Sequence, residues 1–491
     1  MTGSRTYAAY VLGLLTLINL LNYLDRNVVF AVFEPIQREL HVSDQQLGWL
    51  GSAYIIVLSL FSIPLGVLGD LRSRRGVIAW GLGLWSVFTA LGGLVLGFGQ
   101  LFVCRAMVGV GEAGYGPASQ AIIADYYKGR ARAFAMGIYS VGIALGGIIG
   151  IWVGGIVAER YGWRWAFIVM GAPGLLLTAL AARIREPDQR PPTPIRRTLA
   201  RWYRTGLRRA VYYGAPVVGL SALGALIALG LDLGLGLAFE FAAAVFGVFV
   251  AVGAVGTVYR LVPAALKRTA EVGGVAASAL EDFVASATVV LRTPTLIWVF
   301  IGGAMVTFAV NGLIAWAATF MYRVHGLSVP AFSATYGPWA LAGGVLGVLA
   351  GGKLGDWLQA RWAGGRVVAS GAGFILAGPL VGWLLASGSL TGFAPLIFGI
   401  YFFYTWYNGP LAAVIFDVVP AAVRASVAGA FVLFSHLAGD ALAPPLIGYL
   451  SDTTKSIQTA MMVLPVAGVV GGGVILVALK TVKTDMRRVR Q

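Results

Sequence analysis

Runs of about 20 apolar residues recur along this chain, each long enough for a helix to cross roughly 30 Å of hydrocarbon at about 1.5 Å per residue. They fall near residues 8–33, 46–69, 76–97, 100–124, 133–158 and 164–182, then 294–320, 331–353, 366–387, 393–416, 424–449 and 457–480. The runs are apolar on every face, whereas a membrane barrel would show strands of about ten residues that alternate apolar and polar. Composition agrees: 58% of the 491 residues are hydrophobic, 11% are charged and the mean hydropathy is +0.82, too few polar groups to coat a soluble body. The expected fold class is an all-α membrane protein. The first run is too long for a signal peptide and ends in Asn22-Tyr-Leu-Asp-Arg26 without a small-residue cleavage site, so it reads as a permanent helix. The single cysteine, Cys104, lies inside a run, which excludes an intrachain disulfide and gives no support for a metal centre.

The net charge of +16 might suggest nucleic acid, but the basic residues sit in alternate loops between the runs. Arg72, Arg74, Arg75, Lys128, Arg130, Arg132, Lys353, Arg361, Arg366 and the tail from Lys480 to Arg490 lie on one side. The other side holds only Arg38, Arg160, Arg164, Arg323 and Lys455. This is the positive-inside pattern, so no nucleic-acid partner is expected. It places both termini in the cytoplasm of a multi-pass protein, with the bacterial inner membrane as the expected location. An even number of spans is then required, twelve or fourteen. The divisions are an N-terminal six-helix bundle (1–184), a linker (185–293), a C-terminal six-helix bundle (294–480) and a basic tail (481–491). The linker opens with a Pro/Arg-rich stretch that cannot be helical. Within it, 211–231 and 236–259 read as an inserted membrane hairpin, or alternatively as two helices lying on the membrane surface, and 266–292 as an interfacial amphipathic helix.

The chain repeats itself. Gly66-Val-Leu-Gly-Asp70 returns 286 residues later as Gly352-Lys-Leu-Gly-Asp356. Asp125, Arg132 and Gly137 return 292 residues later as Asp417, Arg424 and Gly429. Two six-helix bundles related by a pseudo-two-fold axis are the plan of major facilitator transporters, which hold solute at the midplane and work by alternating access. The Gly66–Arg75 segment resembles that superfamily's signature, although Leu71 stands where a basic residue is usual. Gly66, Asp70, Arg74, Arg75, Asp125, Arg132, Asp356, Asp417 and Arg424 are the implied conformational-switch residues. Gly109-Val-Gly-Glu-Ala-Gly114 matches a dinucleotide fingerprint by spelling, but inside a span its glycines serve close helix packing. Gly347–Lys353 has phosphate-loop spacing with Leu354 where Ser or Thr should follow, which argues against ATP. No cofactor is expected beyond a coupling proton.

Ionisable residues at membrane depth are costly and point to function. They are Asp25, Arg26, Arg105, Glu112, His436 and Asp440. Arg105 and Glu112 are seven apart on one helix face, so they can offer a cation to Asp25 and a carboxylate to Arg26, forming a four-charge network between spans 1 and 4. His436 and Asp440 are four apart, within reach as a proton-accepting pair or as a polar contact that stiffens the bundle. Aligning the halves sets Asn311 opposite Asp25 and Tyr404 opposite Glu112. With Tyr407 and Asn408 these form a neutral wall facing a charged first half.

Several segments together resemble the Spinster family of lysolipid transporters: Leu21-Asn-Tyr-Leu-Asp-Arg26, Arg105–Ala113, Gly162-Trp-Arg-Trp-Ala-Phe167 and His436–Asp440 continuing through Pro444 to Asp452. The resemblance implies proton-coupled movement of a lysolipid or sphingolipid-like amphipathic solute, with Asp25 and Arg105 functional and Glu112 and His436 proton-linked. The expected partners are that solute and membrane lipids, and the expected state is a monomer. A proton-coupled drug or organic-anion antiporter is the alternative, and a non-transporting membrane sensor a remoter one. An enzyme is not expected, because no His-Glu-x-x-His or Gly-x-Ser-x-Gly segment is present.

Overall fold

The computed structural model describes residues 2–71, 73–128, 130–186, 289–420 and 423–490, and every regular element among them is helical. The first half contains α1 (Thr2–Ala31), α2 (Phe33–Leu40), α3 (Asp44–Leu71), α4 (Arg74–Gly92), α5 (Phe98–Ala113), α6 (Tyr115–Tyr126), α7 (Arg130–Tyr161) and α8 (Trp163–Ala181). The second contains α9 (Pro294–His325), α10 (Val329–Arg361), α11 (Gly365–Ala386), α12 (Phe393–Tyr404), α13 (Asn408–Asp417), α14 (Arg424–Ser435), α15 (Ala443–Thr454), α16 (Ile457–Met461), α17 (Val463–Val477) and α18 (Val482–Arg490). Seven helical stretches among the described residues are long and apolar enough to cross a membrane. The other five expected runs are helical too, two of them interrupted: 100–124 between α5 and α6, and 393–416 by a 3₁₀ turn at Thr405–Tyr407. The hairpin expected at 211–231 and 236–259 lies outside the described residues. So does the 266–292 helix, apart from 289–292, which are helical.

Both halves use the same pairings. α3 packs on α5 as α10 packs on α12, and α4 packs on α8 as α11 packs on α17. The α1–α7 crossing is built by a stripe of glycines every fourth residue. A Cβ at Gly146 or Gly150 would sit 2.6 or 2.7 Å from the Leu20 or Leu24 carbonyl oxygen, so only glycine allows this approach. The fingerprint-like glycines also serve packing: a Cβ at Gly111 would meet Gly81 O at 2.7 Å, and one at Gly109 would meet Tyr54 O at 2.5 Å.

The halves meet through α3 on α15, α7 on α10 and α1 on α9. The polar links between them gather at the end opposite the basic loops. Arg323, near the end of α9, donates to Glu34 (2.5 Å), Gln37 (2.8 Å) and both Asp44 oxygens (2.7 and 2.8 Å). Ser451 Oγ donates to Asp44 at 2.6 Å. Asp452 takes the main-chain N–H groups of Asp44 and Gln45 at 3.0 and 2.9 Å, a carboxylate capping the start of α3 from the other half. Beneath this cluster α3 and α15 touch backbone to backbone, because a Cβ at Gly48 would lie 2.4 Å from Pro444 O and one at Gly448 2.3 Å from Asp44 O. This end of the molecule is sealed.

Asp44 stands at the head of α3, outside the apolar run. Burial pushes its carboxyl up, but hydrogen bonds from Arg323 and Ser451 outweigh burial and hold it below its ordinary 3.8. A depressed carboxylate contributes its full stabilisation above that ordinary value and loses it as pH falls through the lowered one, so the seal weakens only in strong acid. Arg323→Ala leaves the buried Asp44 carboxylate without its cation, a change that costs roughly 3–5 kcal/mol at buried pairs. The expected outcome is that the sealed end opens, read as a longer distance between spin labels at Leu40 and Thr453. An unchanged distance distribution would show that the cluster does not hold this end.

Candidate functional site

In the first half, the adjacent Asp25 and Arg26 point in different directions, as about 100° of helical rotation requires. Arg26 Nε meets Glu112 Oε2 at 2.8 Å, the pairing expected from the spacing. Its guanidinium also lies 4.6 Å from the Tyr23 ring centroid and 5.5 Å from that of Tyr54. The second expected pairing does not form. The Asp25 carboxylate turns toward α4, where Thr89 donates to it at 2.5 Å, and Arg105 Nη1 reaches only the main-chain oxygen of Asp25, at 3.3 Å. Tyr54 draws Arg105 instead, its ring centroid 5.4 Å from the guanidinium. Arg105 remains an electrostatic neighbour of Asp25 without being bonded to its carboxylate. Asp25, Arg105 and Glu112 are fully buried, and Asp25 Oδ1, Arg105 Nε and Nη2, and Glu112 Oε1 have no hydrogen-bond partner among the described residues. Such concentrated unsatisfied polarity is rare in a packed interior and marks functional ground.

A cavity of about 420 Å³ opens in the second half, between α9, α13, α14 and the turn that follows α14. Asn311, Tyr407, Asn408, His436 and Asp440 supply its polar wall, and Val310, Ile314, Leu411, Ile415, Phe431 and Val432 its apolar wall. His436–Asp440 forms one π-helical turn, closed by a bond from Ala441 N–H to the His436 carbonyl at 2.9 Å. The cause is local. Pro444 and Pro445 have no N–H groups to return to the carbonyls four residues earlier, so the Asp440 carbonyl is released. Asn311 Nδ2 donates to it at 2.8 Å. Single π turns of this kind concentrate at functional sites. His436 Nε2 lies 3.6 Å from Asp440 Oδ2, close but outside hydrogen-bond range.

The expected division between a charged first half and a neutral second half needs correction. The cavity is lined by the second half and contains an ionisable pair, whereas the charges of the first half are packed away. Arg26 is the exception, with 18% of its side chain exposed. Tyr404 also departs from the expected wall, being buried with its ring centroid 5.1 Å from that of Phe374.

Among the switch residues, Arg74 pairs with Asp125 at 2.8 Å, and Arg366 pairs with Asp417 at 2.6 Å and Asp356 at 2.7 Å. The two Arg–Asp bonds each span 51 residues, so the structure repeats the contact and not only the letters. Arg132 donates to the Ala124 carbonyl and Arg424 to the Phe416 carbonyl, each across eight residues, and both thereby cap helix C-termini. Arg75 is tied through its main-chain N–H to Glu186 at 2.7 Å. Gly66 has open space where a Cβ would lie, and the Asp70 side chain is outside the described residues. Arg366 was legible only as a topology charge, yet the 292-residue shift already found for Asp125 carries Arg74 onto it.

The comparisons agree with this fold. The model of the Major Facilitator Superfamily matches residues 15–258. An MFS-type efflux pump of Mycolicibacterium smegmatis is 32% identical over 203 residues, which are 40% of this chain and only 47% of the pump. Protein spinster homolog 1 of Xenopus tropicalis is 25% identical over 518 residues, covering 99% of this chain and 84% of that protein. The crystal structure of a bacterial homolog to the human lysosomal transporter Spinster, inward-facing and occupied, superposes with a TM-score of 0.71 over 98% of each chain at 23% identity, a likeness of fold.

Removing one member of the buried Arg26–Glu112 pair should destabilise more than removing both. Arg26→Leu is expected to lower the Tm in detergent, by a loss of roughly 3–5 kcal/mol, and Arg26→Leu with Glu112→Leu to recover most of it. Equal Tm values for the single and double variants would mean that the pair is not buried as described.

Proposed function

We propose that this chain, similar over nearly its whole length to Spinster-type transporters of the major facilitator superfamily, moves a lysolipid or sphingolipid-like solute with an anionic or zwitterionic head group by proton-coupled alternating access. The observation that carries this reading is the cavity itself, which sets the His436–Asp440 pair, Asn311 and Asn408 in a wall otherwise mostly apolar, while Arg26 of the first half keeps 18% of its side chain exposed beside its Glu112 partner. A phosphate-bearing head group suits a guanidinium at membrane depth, and an acyl chain suits the surface formed by Val310, Ile314, Leu411 and Phe431. When a head group takes Arg26, Glu112 loses its partner in a dry interior. An isolated carboxylate there is costly, and proton uptake relieves the cost. Substrate and proton are thus linked through one side chain. Asp440 beside His436 offers a second proton-accepting group, and Asp25 with Arg105 a third polar centre with unclaimed atoms. The sealed end is read as the external one, with the basic loops and both termini cytoplasmic.

The efflux-pump relative favours a second reading, export of unrelated lipophilic compounds. Flux into proteoliposomes of a labelled lysophospholipid, measured beside a lipophilic dye under an imposed pH gradient, separates the two. Lysolipid flux that is gradient-dependent and exceeds dye flux is expected, and the reverse order would establish the second reading. Asp25→Asn should abolish proton-linked flux in a folded protein, and Arg105→Ala should abolish flux of any anionic head group. Wild-type rates in both variants would reduce these residues to a structural role.

A further inference from the structure

The basic tail is a docked helix. α18 turns Val482, Asp485, Met486 and Val489 inward, a spacing of three, four and seven that defines one helical face, and it leaves Lys483, Thr484, Arg487 and Arg488 exposed. Asp485, the only acidic residue of the helix, is 3% exposed. Its Oδ2 accepts the Thr295 main-chain N–H at 3.1 Å and the Thr295 hydroxyl at 2.7 Å, and that hydroxyl also lies 2.8 Å from Thr481 Oγ1. The carboxylate thus caps the first turn of α9 and fixes the rotation of α18. The carboxylate's Oδ2 is spent inward and its Oδ1 lies 3.5 Å from Arg488 Nη1, so the outward face carries cations and Thr484 but no acid of its own.

Beside α18, Gln359 Nε2 reaches Met486 Sδ at 3.9 Å, so the end of α10 forms part of the same surface. There Trp357 and Trp362 are 53% and 49% exposed, and the Arg361 guanidinium lies 3.7 Å from the Trp357 ring centroid. Exposed tryptophans at a helix end mark the depth of the membrane–water boundary. The nearby acid Asp356 is already matched by Arg366.

We propose that α18 with the end of α10 is a binding surface for anionic phospholipid head groups, clamping the start of α9 to the membrane surface. Charge complementarity selects this occupant. Three exposed cations, Lys480, Lys483 and Arg487, face outward beside the interfacial tryptophans, and a fourth, Arg488, is exposed while reaching back to Asp485 Oδ1 at 3.5 Å.

The test compares the full-length protein in phosphatidylcholine nanodiscs with and without phosphatidylglycerol, reading Tm by tryptophan fluorescence. Phosphatidylglycerol is expected to raise the wild-type Tm, and high salt to erase the rise, since screening shortens from about 10 Å at 0.1 M to about 3 Å at 1 M. Lys480→Gln with Lys483→Gln and Arg487→Gln should lose at least half of the rise while matching wild type in phosphatidylcholine alone. The exchange of the same positions as Lys480→Arg, Lys483→Arg and Arg487→Lys should keep it. Asp485→Ala should lower Tm in both lipids, separating docking of the helix from lipid binding. No rise in wild type, or a full rise in the glutamine variant, would overturn the proposal and leave these charges as topology signals.

Discussion

The grip of Arg323 on Asp44 is the contact on which the rest of the arrangement depends. Two bundles with largely apolar faces gain little from burying those faces against each other in lipid, so directional polar bonds and close backbone packing must hold them in register. The structure concentrates both at one end. Arg323 binds three side chains of the opposite half, Asp452 caps the helix that carries Asp44, and Gly48 and Gly448 let α3 and α15 meet without side chains between them. With that end fixed, the cavity lies below it, and the paired basic loops lie at the other end.

The duplication explains what the halves share, and its lapses explain the chemistry. The Arg74–Asp125 and Arg366–Asp417 pairs and the carbonyl caps made by Arg132 and Arg424 are common machinery, repeated in contact as well as in letters. The α1–α7 glycine stripe is not repeated. At the corresponding crossing, the second half places a π turn followed by two prolines, and that irregularity presents His436 and Asp440 to the cavity. The close approach is kept at a single glycine, where a Cβ at Gly439 would lie 2.4 Å from the Ala304 carbonyl oxygen.

Most of the fold was legible in the sequence, because the length and all-round apolarity of the runs admit few alternatives in a bilayer. The Arg26–Glu112 pair was also legible, since residues seven apart on a helix must share a face. The Arg105–Asp25 pairing failed for a reason that spacing cannot carry: Thr89, 64 residues from Asp25, competes for the carboxylate, and Tyr54 competes for the guanidinium. Arg323 was counted only as a charge on the sparsely basic side, because its partners Glu34, Gln37 and Asp44 lie some 280 residues away. The adjacent prolines at 444 and 445 were a visible sign that the Asp440 and Ala441 carbonyls lose their helical donors, but not that Asn311, 129 residues away, donates to the first of them.

The central claim is that a head group displacing Glu112 from Arg26 moves a proton with the solute. A pH-sensitive dye trapped inside proteoliposomes tests it most directly, on addition of an unlabelled anionic lysophospholipid with no gradient imposed. A change in lumenal pH that accompanies lysolipid entry in wild type, and is lost in Glu112→Gln, is the predicted result. Lysolipid entry with constant lumenal pH would contradict the coupling.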